Sequence, residues 1–176
     1  MSTNRQSQRS KQWMIEALYE LMKTKPYSAI TIKEIADKAG VSRLTFYRNF
    51  QSKENILEVN FQNMFRTFLS EIDNKQIYDM KGVLISIFEQ FYKNKKHLEI
   101  LINNHLESIL YKPFTGYLDI LFDKFNIANK INSTQKNFLA GGLFFTITEW
   151  INEENQNIYE IVDSILNIME LPHNAI

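Results

Sequence analysis

The sequence predicts an all-α protein, with a three-helix N-terminal domain followed by a C-terminal helical bundle, about nine helices in total. Three observations point there. Apolar residues recur at spacings of three and four instead of alternating, so strand signals are scarce. Only five glycines punctuate 176 residues. A composition of 44% hydrophobic and 13% aromatic residues suffices to bury a core of one domain or two small ones. The expected division is residues 8–68 and residues 69–176.

The first helix is expected from Ser10 to Lys25, with Trp13, Ile15, Ala17, Leu18, Leu21 and Met22 as its apolar face and Pro26 as its stop. Two short helices follow within residues 31–50. Ser52 then caps a long helix whose stripe is Ile56, Leu57, Phe61, Met64, Phe65, Phe68, Leu69 and Ile72, ending at the polar run Asp73-Asn74-Lys75-Gln76. Val83, Leu84, Ile87, Phe88 and Phe91 mark the next helix, to about Lys95. Two more are expected at residues 98–111 and 114–125, separated or kinked by Pro113. After a polar loop at 127–132, Ser133 caps a helix bearing Phe138, Leu139, Leu143, Phe144, Phe145, Ile147, Trp150 and Ile151. Its apolar residues point several ways, which predicts cover by a second copy of the chain. The last helix carries Ile158, Ile161, Val162, Ile165, Leu166 and Met169 and stops at Pro172.

Charge is distributed unevenly. The net charge is zero, yet residues 1–53 hold ten Lys and Arg against four Asp and Glu, ten minus four giving +6. The asymmetry directs a polyanion to the N-terminal part alone. Cysteine is absent, which removes disulfides, thiolate zinc sites and cysteine nucleophiles together. No run reaches the ~20 apolar residues of a membrane span, and the basic, polar opening does not read as an export signal. The expectation is a cytoplasmic protein with no membrane partner.

The informative stretch is TIKEIADKAGVSRLTFYRNF, residues 31–50. Thr31 and Glu34 form a capping box that satisfies the free N–H groups of a helix start. Ile32, Ile35, Ala36 and Ala39 give that helix an inner face. Gly40 supplies the left-handed residue that ends it, Val41 plugs the core and Ser42 caps the next helix. Phe46 and Phe50, four apart, share the inward face of this second helix, which leaves Leu44, Thr45, Tyr47 and Arg48 outward. Two short helices joined by a three-residue turn make a helix-turn-helix. Arg43 can reach guanine edges with its planar fork, Thr45 offers a hydroxyl or a methyl, and Leu44 suits a thymine methyl. Tyr47, Arg48 and Asn49 have the reach for phosphates, and Lys53 opens the next helix near the backbone. Double-stranded DNA is the implied partner.

From Lys11 to Phe68 the chain resembles the N-terminal domain of the TetR family of bacterial regulators. The matching residues are Lys25-Pro26-Tyr27, TIKEIADKAGVS, the TFYRNF block and SKENIL. The resemblance implies a homodimeric regulator, its second short helix reading a palindromic operator and its divergent C-terminal domain binding an inducer. By position it places Lys33, Arg43, Leu44 and Thr45 on bases and Thr31, Tyr47, Asn49 and Lys53 on phosphates. Leu44 departs from the glycine, polar residue or proline often found there, so operator sequence does not transfer.

Beyond Ile72 only architecture is legible. Phe88, Phe91, Tyr92, Phe114, Tyr117 and Phe145 are the candidate lining of a small-molecule effector pocket; no cofactor is implied. Gly141-Gly142 weakens a helix and so suits close approach by another, which puts Gly141, Phe144, Ile161 and Ile165 in a candidate dimer interface built from the last two helices. His97 and His105 lie eight apart, too far for ligand spacing on one helix, so no metal site is predicted. No nucleophile, base and orienter arrangement is present, and no enzyme is expected. The leading reading is a ligand-responsive repressor. The alternative is a coactivator or adaptor of the same fold that acts through another regulatory protein without binding DNA.

Overall fold

The computed structural model describes residues 2–77, 79–126, 131–153 and 157–170. Among them are nine α-helices and no strand: α1 (Ser2–Met22), α2 (Ile32–Lys38), α3 (Arg43–Asn49), α4 (Lys53–Lys75), α5 (Met80–Lys93), α6 (Lys95–Asn103), α7 (Glu107–Lys124), α8 (Ser133–Asn152) and α9 (Ile158–Glu170), with a 3-10 turn at Tyr27–Ala29. The chain divides into two compact units, Met1–Asn63 with Ile100–Pro113, and Met64–Glu99 with Phe114–Ile176. The division differs from the expected one. It falls inside α4 five residues before Phe68, and residues 100–113 return to the first unit.

In the first unit α1, α2 and α3 pack on one another. Met14, Ile15, Leu18, Ile35, Phe46, Phe50, Ile56 and Leu57 lose essentially all contact with solvent, and burial of such side chains contributes roughly 1.5–3 kcal/mol each. Polar bonds fix the register: Asn60 donates to the Tyr19 hydroxyl at 3.2 Å, joining α4 to α1. The Asn104 amide donates to the carbonyls of Ile100 (2.9 Å) and Met22 (3.4 Å) and accepts from the Tyr27 N–H at 3.2 Å. One side chain thereby ties the end of α6 to the connection after α1.

The second unit is organised around α5, which packs against α8 and α9. Seven of its fourteen residues are buried, Ser86 and Gln90 among them. Aromatic pairs link the helices: Phe88 meets Trp150 edge-on at 5.2 Å, Phe91 meets Phe114 at 6.2 Å, Phe114 meets Phe144 at 5.4 Å, and Phe65 stacks on Tyr117 at 3.9 Å. Ion pairs Lys81–Asp163 and Lys93–Glu71, at 2.5 and 2.7 Å, lie on the surface. Exposed pairs contribute at most about 1 kcal/mol, so aromatic packing holds this unit.

Several boundaries differ from expectation, for local reasons. Helix α1 begins at Ser2, eight residues before Ser10, and ends at Met22. Trp13, assigned to its apolar face, is exposed, while Met14 and Tyr19 are buried. Helix α4 continues through Asp73-Asn74-Lys75 and closes only where Gln76 turns left-handed. Pro113 separates no helices; it lies inside α7, and the boundary between the two units falls just after it. The break comes earlier, where His105 takes φ 56° and the N–H groups of His105 and Leu106 return to the carbonyls of Ile102 and Leu101, the double bond of a Schellman stop. Asn132, not Ser133, caps α8, in a capping box with Gln135. Residues 127–130 and Pro172 lie outside the described residues.

Gly40 carries out the same stop on α2. Its φ is 66° and the Val41 and Gly40 N–H groups bond the Ala36 and Asp37 carbonyls at 2.9 and 3.1 Å. An added Cβ would meet open space there, and also at Gly116 within α7. Only backbone conformation then distinguishes the two positions. Gly40→Ala is expected to lower stability by about 1–2 kcal/mol, and Gly116→Ala to raise it by about 0.5–1 kcal/mol. Denaturant unfolding of both variants checks this, and equal signs would contradict it.

Candidate nucleic-acid interface

The surface of interest is built from two helices of seven residues each, α2 and α3. Pieces this short do not hold themselves together in water, so their ends and their packing must fix them. At the start of α2 the Thr31 hydroxyl accepts from the Glu34 N–H at 3.3 Å, and the Glu34 carboxylate accepts from the Thr31 N–H at 2.9 Å and hydroxyl at 2.8 Å. The other carboxylate oxygen takes Lys25 Nζ at 2.6 Å. The Lys25 bond, then the Thr31 bonds, hold the Glu34 carboxyl down at about 2. The Ser42 hydroxyl accepts from the Thr45 N–H at 3.1 Å and starts α3.

Phe46 and Phe50 are buried at 0% and 2% exposure, with ring centroids 5.9 Å apart. Their burial fixes the rotation of α3. Leu44 at 61% and Tyr47 at 60% exposure stand out on the opposite face, together with exposed Arg43 and Arg48. Two large apolar side chains stand in water beside two guanidinium groups, the Tyr47 ring meeting Phe46 edge-on at 5.5 Å. Lys33 is exposed on α2, Thr31 at its cap, and Thr45 is half-buried behind Ser42.

Two of the expected phosphate ligands have partners within the unit. Asn49 donates to the Thr45 carbonyl at 2.7 Å and accepts from the Ser7 hydroxyl at 2.7 Å, so it locks α3 to the early part of α1. Lys53 donates to the carbonyls of Tyr27 at 2.7 Å and Ile30 at 3.1 Å, with its ammonium 4.2 Å from the centre of the Tyr27 ring. The Tyr27 hydroxyl donates to Glu54 at 2.8 Å, and burial first, then this bond, pushes the phenol up. Lys53 therefore holds the turn before α2 to the start of α4. Sequence reading missed Ser7, Tyr27 and Asn104 as fixtures of this unit; only Tyr27 had a signal, as the residue after the helix-stopping Pro26.

The other predicted residues are placed as follows. Phe88, Phe91 and Phe114 are buried in the second unit, and Tyr117 is half-buried on Phe65; Tyr92 and Phe145, at 60% and 64% exposure, are turned out and line no core cavity. Phe144 is buried against Phe114 within its own chain and so is not available to a dimer partner, because its ring is already covered. Gly141, Ile161 and Ile165 are half-buried. His97 and His105 are not on one helix, since α6 ends between them. Among the described residues no three His, Asp or Glu side chains gather as metal ligands, and no helix is long and apolar enough to cross a membrane.

Capped, short and glycine-jointed, with its second helix pinned by two buried rings and its outer face cationic and bare, this arrangement defines a helix-turn-helix module of the transcription-regulator class. Residues 14–59 match the family model of the bacterial regulatory proteins of the tetR family, so this N-terminal segment is similar to that family's domain. It is 26% identical over 112 residues, 62% of this chain and 59% of the relative, to the HTH-type dhaKLM operon transcriptional activator DhaS of Lactococcus lactis. Over 45 residues, 26% of this chain and 24% of the relative, it is 44% identical to the uncharacterized HTH-type transcriptional regulator YvkB of Bacillus subtilis. The chain thus spans less than two thirds of these relatives' lengths. The crystal structure of Lin0861 from Listeria innocua shares the fold, with a TM-score of 0.81 over 93% of this chain and 91% of that one at 18% identity.

The depressed Glu34 pKa carries a pH signature. A carboxyl whose folded value lies below its ordinary 4.5 contributes stability above pH 4.5, and that contribution is lost as pH falls towards 2. Glu34→Gln keeps a cap acceptor but removes the titration. Its unfolding midpoint is expected to fall below wild type at pH 6, and the gap to narrow steadily as pH falls from 4.5 towards 2; a constant gap across that range would contradict the assignment.

Proposed function

We propose that the chain is an effector-responsive repressor that binds a palindromic DNA operator as a homodimer in the cytoplasm. The observation that carries this reading is the outer face of α3, where Arg43, Leu44, Tyr47 and Arg48 project together from a helix whose rotation Phe46 and Phe50 fix. Arg43, in the first turn, suits a bidentate contact to guanine, and Leu44 a thymine methyl. Lys33 joins them toward bases, Thr31 and Tyr47 flank them for phosphates, and the +6 charge of residues 1–53 supports the same polyanion. Asn49 and Lys53 act on this surface by holding α3 and the turn before α2 in place.

A homodimer sets two such helices about one turn of duplex apart, ~34 Å. Its support is the outer face of α8, where Phe138 (71% exposed), Gly142 and Phe145 (64%) recur at helical spacing, together with Ile168 and Met169 exposed on α9. An uncovered stripe of this kind suits a second copy. The partner face therefore uses Gly141, Ile161 and Ile165 with Phe138 and Phe145, in place of Phe144. An effector held among the buried aromatics of the second unit would alter the separation of the reading helices and so release the operator.

A second reading has one observation in its favour. DhaS, to which the chain is similar, is a transcriptional activator, so the bound protein here would raise transcription, or would serve as a coactivator acting through another regulatory protein. Binding of naked duplex by the purified chain alone separates these, since an adaptor needs its partner.

Electrophoretic mobility shift on operator duplex is expected to show affinity falling by roughly 10³-fold or more between 50 and 200 mM salt. Arg43→Ala with Tyr47→Ala is expected to weaken binding at least about 100-fold, with helical content unchanged; unchanged binding would remove α3 as the reading surface. For the dimer, Phe145→Glu is expected to give monomers in sedimentation at micromolar concentration. A wild-type chain that already sediments as a monomer would overturn that part.

A further inference from the structure

We propose that the first turns of α1 are a second DNA-binding element, in which Arg5 and Arg9 neutralise phosphates of the duplex flanking the segment met by α3. The proposal rests on the DNA-binding reading above and carries it to a surface outside the helix-turn-helix.

One hydrogen bond and one helix face place this element. The Ser7 hydroxyl donates to Asn49 Oδ1 at 2.7 Å, which fixes the second turn of α1 against the last residue of α3. Ser10 and Met14 continue the face of Ser7 inward, at 7% and 0% exposure. Arg5 and Arg9 stand two positions to either side of Ser7 and are exposed. Four residues apart, they share a face and lie one turn, ~6 Å, from each other along the helix. The residue before Asn49 on α3 is the exposed Arg48. Exposed arginines thus stand within two positions of both ends of the bond that joins the helices.

Local energetics oppose this placement. Helix α1 has no acidic residue in its first turn, and none precedes Glu16, whereas Arg5, Arg9 and Lys11 supply +3, half of the +6 of residues 1–53. Cations are disfavoured at the positive end of a helix, and like charges four residues apart repel. Among the described residues no carboxylate pairs with Arg5, Arg9 or Lys11, although Lys75, Lys93 and Lys124 on other helices each meet one. A helix start with two such costs and no internal counter-charge gains stability from an external polyanion. Both arginines also precede residues 14–59, so the element lies outside the segment matched to the tetR domain.

Phosphates are the partner because of what α3 occupies. A major groove admits one helix; with α3 in it and α1 seated on α3 through Ser7, the long side chains of α1 meet the backbone beside the groove.

The test uses mobility shifts with the full chain on the duplex that wild type selects from a randomised library, once with long flanks and once trimmed to the two half-sites. With flanks present, Arg5→Gln with Arg9→Gln is expected to weaken binding about tenfold or more at 150 mM salt. The slope of log affinity against log salt is expected to fall by about 0.9 for each arginine lost. Base preferences within the half-sites are expected to stay as in wild type, and Arg5→Lys with Arg9→Lys to restore most of the slope. On the trimmed duplex the glutamine variant is expected to bind within about threefold of wild type. Wild-type affinity and slope in the glutamine variant, an equal loss on both duplexes, or a changed half-site preference would each overturn the proposal. Arg43→Ala with Tyr47→Ala separates the two readings: loss of binding there with no effect of the Arg5 and Arg9 changes removes the α1 element alone, whereas a wild-type chain that selects no duplex removes both.

Discussion

The arrangement rests on the burial of Phe46 and Phe50 on one side of a seven-residue helix. A helix of that length has too few internal hydrogen bonds to exist alone, and its outward residues acquire a fixed direction only because two rings are held inside. Everything proposed for the surface inherits this constraint. Arg43, Leu44, Tyr47 and Arg48 form a face because the opposite face has no freedom to rotate. The caps at Thr31 and Ser42 and the left-handed stop at Gly40 set where each helix begins and ends; the rings set which way it looks.

Around that pair lies a ring of polar ties whose chemistry resembles that of DNA ligands but whose partners are internal. Lys53 places its ammonium on two backbone carbonyls and the Tyr27 ring, and Asn49 is held between α3 and Ser7. In each case a hydrogen bond to a fixed neighbour keeps the side chain from solvent at no cost in reach for its neighbours. The division among the polar side chains is therefore sharper than charge alone suggests, with Lys53 and Asn49 bonded within the module and Arg43 and Arg48 exposed on the outer face of α3. Asn104 extends the ring to the segment after α6, since its amide bonds both ends of the connection between α1 and the 3-10 turn.

How much of this was legible in the sequence varies with the range of the interaction. Capping boxes, the glycine stop and the i, i+4 aromatic pair are local, and residues 31–50 read correctly down to the two helix starts. The stripe of α4 was legible for the same reason, though its end was not: Asp73-Asn74-Lys75 is polar enough to suggest a break, yet an exposed helix end tolerates polar residues, and the stop is a backbone event at Gln76. His105 is a similar case, a non-glycine residue taking the left-handed stop that Pro113 seemed to promise. The roles of Asn49, Lys53 and Asn104 depend on partners up to 82 positions away, which no spacing rule encodes. In the second unit periodicity found the helices but not which aromatics face inward, because α5 and α8 are apolar around most of their circumference; Phe144 and Phe145, adjacent in sequence, have opposite environments.

The central claim is that α3 enters a major groove with Arg43 foremost. Genome-wide mapping of bound sites supplies the operator, and methylation interference on that duplex then tests the claim most directly, because a methyl on guanine N7 blocks the edge an arginine fork would use. Interfering guanines are expected in two successive major grooves centred about 10 base pairs apart, with the interference lost in Arg43→Ala. Binding that no guanine N7 methylation disturbs, or interference confined to the minor groove, would contradict it.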